Sequence, residues 1–201
     1  MVSLSTTMSL PLLDGLGTTL FIALVSLLVC IVPGSLLYFG RKSGITPLYI
    51  LCTAYVEFFE GIPIILQLFF LYYGLPLLSP GLTLTAPLTA ILVLSLNGAG
   101  NLSTFSKMFS QVEGSSPTFN SRIKTLTLSA VKVFGELVKY SSLLAVIGMA
   151  ELTRMANLAM QAKATISYMV GAALIYVIIN LIVKIAIKVL QRQFLSMKKD
   201  S

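Results

Sequence analysis

Residues 54–74, AYVEFFEGIPIILQLFFLYYG, decide the fold, because they are almost uniformly apolar around one short polar break. The break is Glu60-Gly61-Ile62-Pro63, and it lies inside a hydrophobic run that extends over 48–78. About 20 helical residues cross a bilayer core, so this run is too long for one straight span. The proline of the break lacks a backbone donor and clashes with the preceding helical turn. We therefore predict a first part, 48–60, at a membrane surface and a second part, 62–78, that crosses.

The composition indicates an integral membrane protein. Of the 201 residues, 56% are hydrophobic and 10% are charged, and the mean hydropathy is +0.93. A typical soluble domain carries about 25% charged residues. The net charge of +7, with no histidine, fits the basic loops of a membrane protein better than nucleic-acid binding. We expect a lipid bilayer as partner and no nucleic acid.

The cysteines and the amino terminus are also consistent with an integral membrane protein. Cys30 and Cys52 form no C-x-x-C pair and have no histidine to share, so we predict neither a disulfide framework nor a metal site. The start, MVSLSTTMSLPLLDG, lacks the basic residues of a secretory signal, and the first apolar run ends in Arg41-Lys42 rather than at a cleavage site. We expect that run to stay in the protein as a transmembrane helix.

Hydropathy predicts an all-α protein of about five transmembrane helices in one domain over residues 1–201. The predicted spans are 17–40, 62–78, 86–105, 126–149 and 166–190, with a polar cytoplasmic loop at 106–125. By the positive-inside rule, Arg41 and Lys42 place the end of span one in the cytoplasm, and the topology is N-out and C-in. Of the 14 basic residues, two then lie outside, three lie within spans and nine lie inside. The nine are Arg41, Lys42, Lys107, Arg122, Lys124, Lys188, Arg192, Lys198 and Lys199.

Two polar features fall within these spans. Span three contains NGAGN at 97–101, where small residues favour close helix packing over direct substrate contact and amides can bond across the contact. Span four carries Lys132, Glu136 and Lys139 on one face, so Glu136 is placed to bridge both lysines. This stripe is equally consistent with a buried ion pair that fixes helix register and with a transport path.

The residues argue against enzymatic chemistry in the membrane. The aspartates, Asp14 and Asp200, lie near the ends, and there is no histidine for a serine or metal mechanism. Lys139 near Ser141 and Ser142 is a weak match to a serine-lysine dyad. Residues 34–43, GSLLYFGRKS, have the wrong spacing for a phosphate-binding loop. We predict that the chain is not an enzyme, holds no cofactor, and leaves any use of ATP to another subunit.

Three stretches resemble the permease subunits of bacterial polar amino-acid ABC importers, the inner-membrane components of binding-protein-dependent transport. They are AYVEFFEGIPIILQLFFLYYGLP at 54–76, LVLSLNGAGNL at 92–102 and LVKYSSLLAVIGMAELTR at 137–154. The resemblance implies a type I, MetI-like helical bundle in the bacterial inner membrane. It also implies pairing of two permeases as a homodimer or with a second permease, cytoplasmic ATPase subunits and an extracytoplasmic solute-binding protein.

The chain departs from that family in two places. Glu60 precedes Gly61 where the family usually has arginine. The family's coupling loop between spans three and four, which begins E-A-A and docks into the ATPase, is shorter here by about 18 residues, roughly five helical turns. The predicted ATPase-coupling residues are Glu60, Gln111, Val112, Glu113 and Gly114. The predicted substrate-pathway residues are Gln67, Asn97, Glu136, Lys139, Ser141 and Ser142.

Two functions remain open from the sequence. The first is an importer permease for polar amino acids that couples to an ATPase through 106–125. The second is a degenerate membrane subunit that acts as a scaffold or in an uncoupled path. Glu57, Glu60 and Glu136 favour a cationic substrate, whereas Lys132 and Lys139 favour the opposite charge, so the amino acid is not assigned.

Overall fold

The computed structural model describes residues 2–113 and 119–199, and its described side chains are those of 11–110 and 121–193. Helices account for nearly all of this part of the chain. The α-helices are α1 (Val2–Gly40), α2 (Thr46–Gly61), α3 (Ile64–Phe69), α4 (Leu75–Leu78), α5 (Ala86–Glu113), α6 (Phe119–Tyr140), α7 (Leu152–Lys163) and α8 (Ser167–Lys199). A π-helical turn, Phe70–Gly74, joins α3 to α4, and 3-10 turns lie at Pro80–Leu82 and Ser141–Ile147.

The all-α prediction is confirmed, and the described residues hold three single helices that are long and apolar enough to cross a membrane. These are Pro11–Gly40, Ala86–Ser110 and Ser167–Gln193. Two bent pairs bring the number to as many as five spans, and they are Thr46–Gly61 with Ile64–Leu78, at 91°, and Ser121–Ile147 with Leu152–Lys163, at 52°. The first bend lies at the predicted break, where α2 ends at Gly61 and α3 begins after Pro63.

Two predicted boundaries differ from the structure. The predicted loop at 106–125 is helical wherever it is described, because α5 continues to Glu113 and α6 begins at Phe119. Both extensions have buried residues, namely Ser106 and Phe109 on α5 and Thr125 on α6, and Ser106 donates a hydrogen bond to Ser129 at 3.0 Å. Gly114, one of the predicted coupling residues, lies outside the described residues. Predicted span four, 126–149, changes to a 3-10 turn at Ser141 instead of continuing as α-helix.

The core forms where α1 crosses α5, and glycines set the distance between these helices. A β-carbon on Gly34 would lie 2.7 Å from Leu102 Cδ2 and 3.0 Å from the Ala99 carbonyl oxygen. A β-carbon on Gly98 would lie 3.0 Å from Cys30 Sγ. A side chain at Gly34 would therefore clash, and one at Gly98 would be tightly packed. The NGAGN segment of α5 is therefore a close-packing surface, as its small residues predicted.

Helix α7 packs between α1 and α8. Its buried Leu152 and Ala156 pack in a second cluster with Leu12 of α1 and Tyr168 of α8. The Leu152 amide donates to the Thr19 hydroxyl at 3.2 Å. This helix therefore joins the two longest helices of the bundle.

Candidate functional site

A pair of amide side chains lies beside the bend between α2 and α3. Asn97 Nδ2 donates to Gln67 Oε1 at 2.7 Å and to the Val93 carbonyl at 2.8 Å. Gln67 Nε2 donates to the carbonyl oxygens of Ile62, at 2.8 Å, and Phe59, at 3.1 Å. The structure thus brings together two predicted pathway residues that are 30 positions apart in the sequence.

These bonds complete the backbone pairing at the bend. A helix end leaves carbonyl groups without partners, and such groups are costly in hydrocarbon. Gln67 satisfies two of them and joins them to α5 through Asn97. The amide pair therefore holds the 91° bend against α5.

Glu60 lies on the rim of the same bend. Its Oε1 accepts a hydrogen bond from Thr104 Oγ1 at 2.9 Å, and the side chain is exposed. Earlier in α2, the Tyr55 hydroxyl donates to the Leu96 carbonyl at 3.0 Å. The helix thus lies across α5 and reaches the half of α5 that carries the other coupling candidates.

The remaining coupling candidates follow on α5. Gln111, Val112 and Glu113 are the last residues of that helix, and Gly114 lies outside the described residues. Residues 114–118 connect the end of α5 to the start of α6. Glu60 contacts α5 at Thr104, nine residues before Glu113, so it lies on the half of the helix that leads to the other coupling candidates.

The charged stripe on α6 is only partly as predicted. Glu136 Oε2 lies 2.6 Å from Lys139 Nζ, with the two side chains 23% and 42% exposed. The prediction that Glu136 also bridges Lys132 is wrong. The Lys132 ammonium lies 4.4 Å from the centroid of the Phe105 ring, where a cation–π contact replaces the ion pair. This contact joins α6 to α5.

Ser141 and Ser142 begin the 3-10 turn that follows α6. Their hydroxyl groups donate to the carbonyl oxygens of Val138 and Lys139, each at 2.7 Å. Hydroxyl groups bonded to their own helix favour a local change of helix geometry. These bonds give the serines a structural role where the stripe ends.

The sequence did not single out Glu151, which is fully buried and caps the N-terminus of α7. Its carboxylate accepts from the amides of Thr153, at 2.8 Å, and Arg154, at 2.7 Å, and from the Tyr176 hydroxyl at 3.1 Å. Glutamate is not among the usual N-cap residues, so the sequence offered no cap signal here. No group of three possible metal ligands occurs among the residues whose structure is described.

Comparison with known proteins extends this picture. No family model matches the chain. Over 92 residues it is 40% identical to the probable amino-acid permease protein YxeN of Bacillus subtilis (strain 168). It is 35% identical, over 92 residues, to the arginine transport system permease protein ArtQ of the same organism. These matches span 45% and 46% of this chain and only 41% and 42% of the relatives, so the chain covers well under half of each relative's length.

The similarity of the fold extends over almost the whole chain. A chain from the crystal structure of an amino acid ABC transporter with histidines superposes with a TM-score of 0.81, covering 96% of this chain and 97% of that one at 20% identity. The chain has the fold of an ABC importer permease. The MetNI methionine ABC transporter, in inward facing conformations, gives a TM-score of 0.63 over 92% of this chain and 98% of that one, at 19% identity. The resemblance to amino-acid ABC permeases and the predicted MetI-like bundle are both confirmed.

Proposed function

We propose that this chain is the membrane-spanning permease subunit of an ABC importer for polar amino acids in the bacterial inner membrane. The observation that carries the proposal is the fold, which matches an amino acid ABC transporter over 96% of the chain. The permease relatives YxeN and ArtQ support amino acids as the class of substrate. ATP is hydrolysed by a separate cytoplasmic subunit, and a solute-binding protein delivers the substrate from outside.

The α6 stripe supports a pathway between two paired permeases. Charged side chains in a span face a bundle interior or a water-filled cavity. Lys139, however, is 42% exposed on the surface of the single chain. That position suits a residue that faces a second permease, or water between the two, rather than lipid. We assign Glu136 and Lys139 to this pathway, together with Ser141 and Ser142 in the turn that follows α6.

The amide pair supports a positioning role in the same pathway. Gln67 and Asn97 bond to each other and to backbone carbonyls, so their hydrogen-bonding groups are largely occupied by the protein. They hold α3 at its angle to α2 and thereby set the course of the second span. We infer that they shape the pathway and do not bind the amino acid directly.

Glu60 and the second half of α5 support coupling to the ATPase. Glu60 contacts Thr104 on the half of α5 that ends with Gln111, Val112 and Glu113. The positive-inside rule places this end in the cytoplasm, because Arg41 contacts Ser103 there. An ATPase subunit that contacts this end would transmit its motion to α5 and, through Asn97, to the bend.

The proposal is tested by purifying the tagged chain from its native membrane and measuring uptake. We expect an ATP-binding-cassette ATPase in stoichiometric amount, and ATP-dependent accumulation of a labelled amino acid in proteoliposomes. Glu60→Gln keeps an acceptor for Thr104 but removes the charge, so we expect it to lower both signals. Glu57→Gln, on the exposed surface of the same helix, is the matched control and leaves both unchanged.

A degenerate, uncoupled membrane subunit is the second candidate, and the shortness of the connection between α5 and α6 favours it. Only residues 114–118 separate the two helices. If this function is right, deleting the chain leaves ATP-driven amino-acid uptake unchanged and no ATPase co-purifies. The same two measurements therefore distinguish the candidates.

A further inference from the structure

A basic cavity lies between the end of α1 and the last turns of α5. Its volume is ≈ 200 Å³. None of the lining residues is acidic, and three carry a positive charge. The lining residues are Tyr38, Arg41, Lys42, Ser103, Lys107 and Ser110.

The cations of this cavity are held in place by hydroxyl groups. Lys42 Nζ donates to the Tyr38 hydroxyl, at 3.1 Å, and to Ser110 Oγ, at 3.0 Å. Arg41 Nη1 donates to Ser103 Oγ at 3.4 Å. The positive charges therefore stay close together without a carboxylate from the lining to neutralise them. Like charges repel, so an anion in the cavity would relieve this repulsion.

One buried donor of a lining residue lacks a partner. Arg41 Nε is buried and makes no hydrogen bond within the part of the chain that the structure describes. Buried polar groups in proteins are almost always paired, and a donor on a cation is well satisfied by an anion. Arginine is suited to phosphate because its planar fork of donors matches the phosphate oxygens.

The surroundings of the cavity are those of a lipid interface. Leu36 and Phe39, within the last two turns of α1, are 66% and 38% exposed although they are apolar. The Arg122 guanidinium lies 5.8 Å from the centroid of the Phe39 ring, which adds a fourth cation near the cavity. Basic side chains at the cytoplasmic surface attract anionic lipid headgroups, while exposed apolar helix surfaces contact acyl chains.

We propose that this basic cavity binds a phosphate group, with the anionic phospholipids of the cytoplasmic leaflet as its source. Its volume is below the roughly 300 Å³ at which pockets for drug-sized ligands begin, so it suits a phosphate rather than a larger molecule. The phosphodiester contacts Arg41, Lys42 and Lys107, and the acyl chains extend along the exposed residues of α1. A free phosphate compound shares the same chemistry and is the other source to be tested.

The test uses native mass spectrometry of the purified full chain in neutral detergent. The probes are phosphatidylglycerol, phosphatidylcholine and inorganic phosphate, each titrated separately. Lys42→Gln and Lys107→Gln remove cavity charges, and Lys188→Gln removes an exposed basic residue of α8 at the same predicted side of the membrane. Circular dichroism and size-exclusion chromatography confirm that each variant is folded.

We expect phosphatidylglycerol to bind more tightly than phosphatidylcholine, and each cavity substitution to weaken its binding about fivefold. Lys188→Gln leaves the affinity unchanged. If inorganic phosphate binds with the same dependence on Lys42 and Lys107 while the two lipids bind alike, the phosphate site stands and its source is a free compound. The proposal is overturned if phosphatidylglycerol binds equally to the parent chain, the control variant and both cavity variants. It is also overturned if none of the probes binds.

Discussion

The hydrogen bonds of Gln67 predict that Gln67→Leu destabilises the protein by about 2 kcal/mol. Gln67 donates to Ile62 O and Phe59 O and accepts from Asn97, at 2.8, 3.1 and 2.7 Å. A side-chain hydrogen bond in a membrane protein is worth about 0.6 kcal/mol on average and about 1.7 kcal/mol at most. Three such bonds give about 2–5 kcal/mol, and burial of the leucine offsets part of the loss.

The assay is reversible unfolding in mixed micelles, followed by far-UV circular dichroism as the denaturing detergent is raised. Gln161→Leu is the matched control, because Gln161 is exposed and its side chain donates to Asn157 of its own helix, at 3.1 Å, rather than to another element. We expect the control to change the free energy of unfolding by less than about 0.5 kcal/mol. Adding Asn97→Leu completes a double-mutant cycle, with an expected coupling of about 1 kcal/mol to Gln67.

Two results would refute the reasoning. One is equal destabilisation by Gln67→Leu and Gln161→Leu, which means that the bend does not depend on the amide pair. The other is a coupling of zero in the cycle, which means that Gln67 and Asn97 act independently.

Three further substitutions test the packing, the cap and the stripe by the same unfolding assay. Gly34→Ala places a methyl group 2.7 Å from Leu102 and is expected to cost about 1–3 kcal/mol. Gly17→Ala is the control on the same helix, with nothing within 4 Å, and is expected to be neutral or stabilising. Equal effects of the two substitutions would contradict the close approach of α1 and α5. Glu151→Ala removes the N-terminal cap of α7 and is expected to cost about 1–2 kcal/mol; an unchanged stability would show that the cap is not needed. Lys139→Gln breaks a partly exposed ion pair and is expected to change stability by less than about 1 kcal/mol while lowering amino-acid uptake, so normal uptake would remove Lys139 from the pathway.

Local chemistry in the sequence was enough to predict the main architecture. Pro63 and the carboxylates before it placed the break between α2 and α3, since a proline and charged groups interrupt an apolar helix for reasons that act within a few residues. Hydropathy identified the long spans, because a run of about 20 apolar residues is itself a local property of the sequence. The NGAGN segment predicted a close helix contact, because small residues in a span allow two helix backbones to approach each other.

The features that were missed depend on distant residues or on helix ends outside the bilayer. The polarity of 106–125 was interpreted as a loop, but polar residues also continue helices beyond the membrane when one surface packs, as Phe109 does. The bond between Gln67 and Asn97 requires the 91° bend, which periodicity does not give. Lys132 lies against Phe105 of another helix, so the spacing on α6 alone suggested the wrong partner.

We propose that the chain imports amino acids and that an ATPase bound at the end of α5 drives this import. The most direct measurement is uptake of labelled amino acids by proteoliposomes that contain the chain together with the ATPase and binding protein that co-purify with it. The account predicts accumulation that requires ATP, binding protein and this chain, and that falls with Glu60→Gln but not with Glu57→Gln. A chain that never binds an ATPase, with uptake unchanged when it is left out, would contradict it.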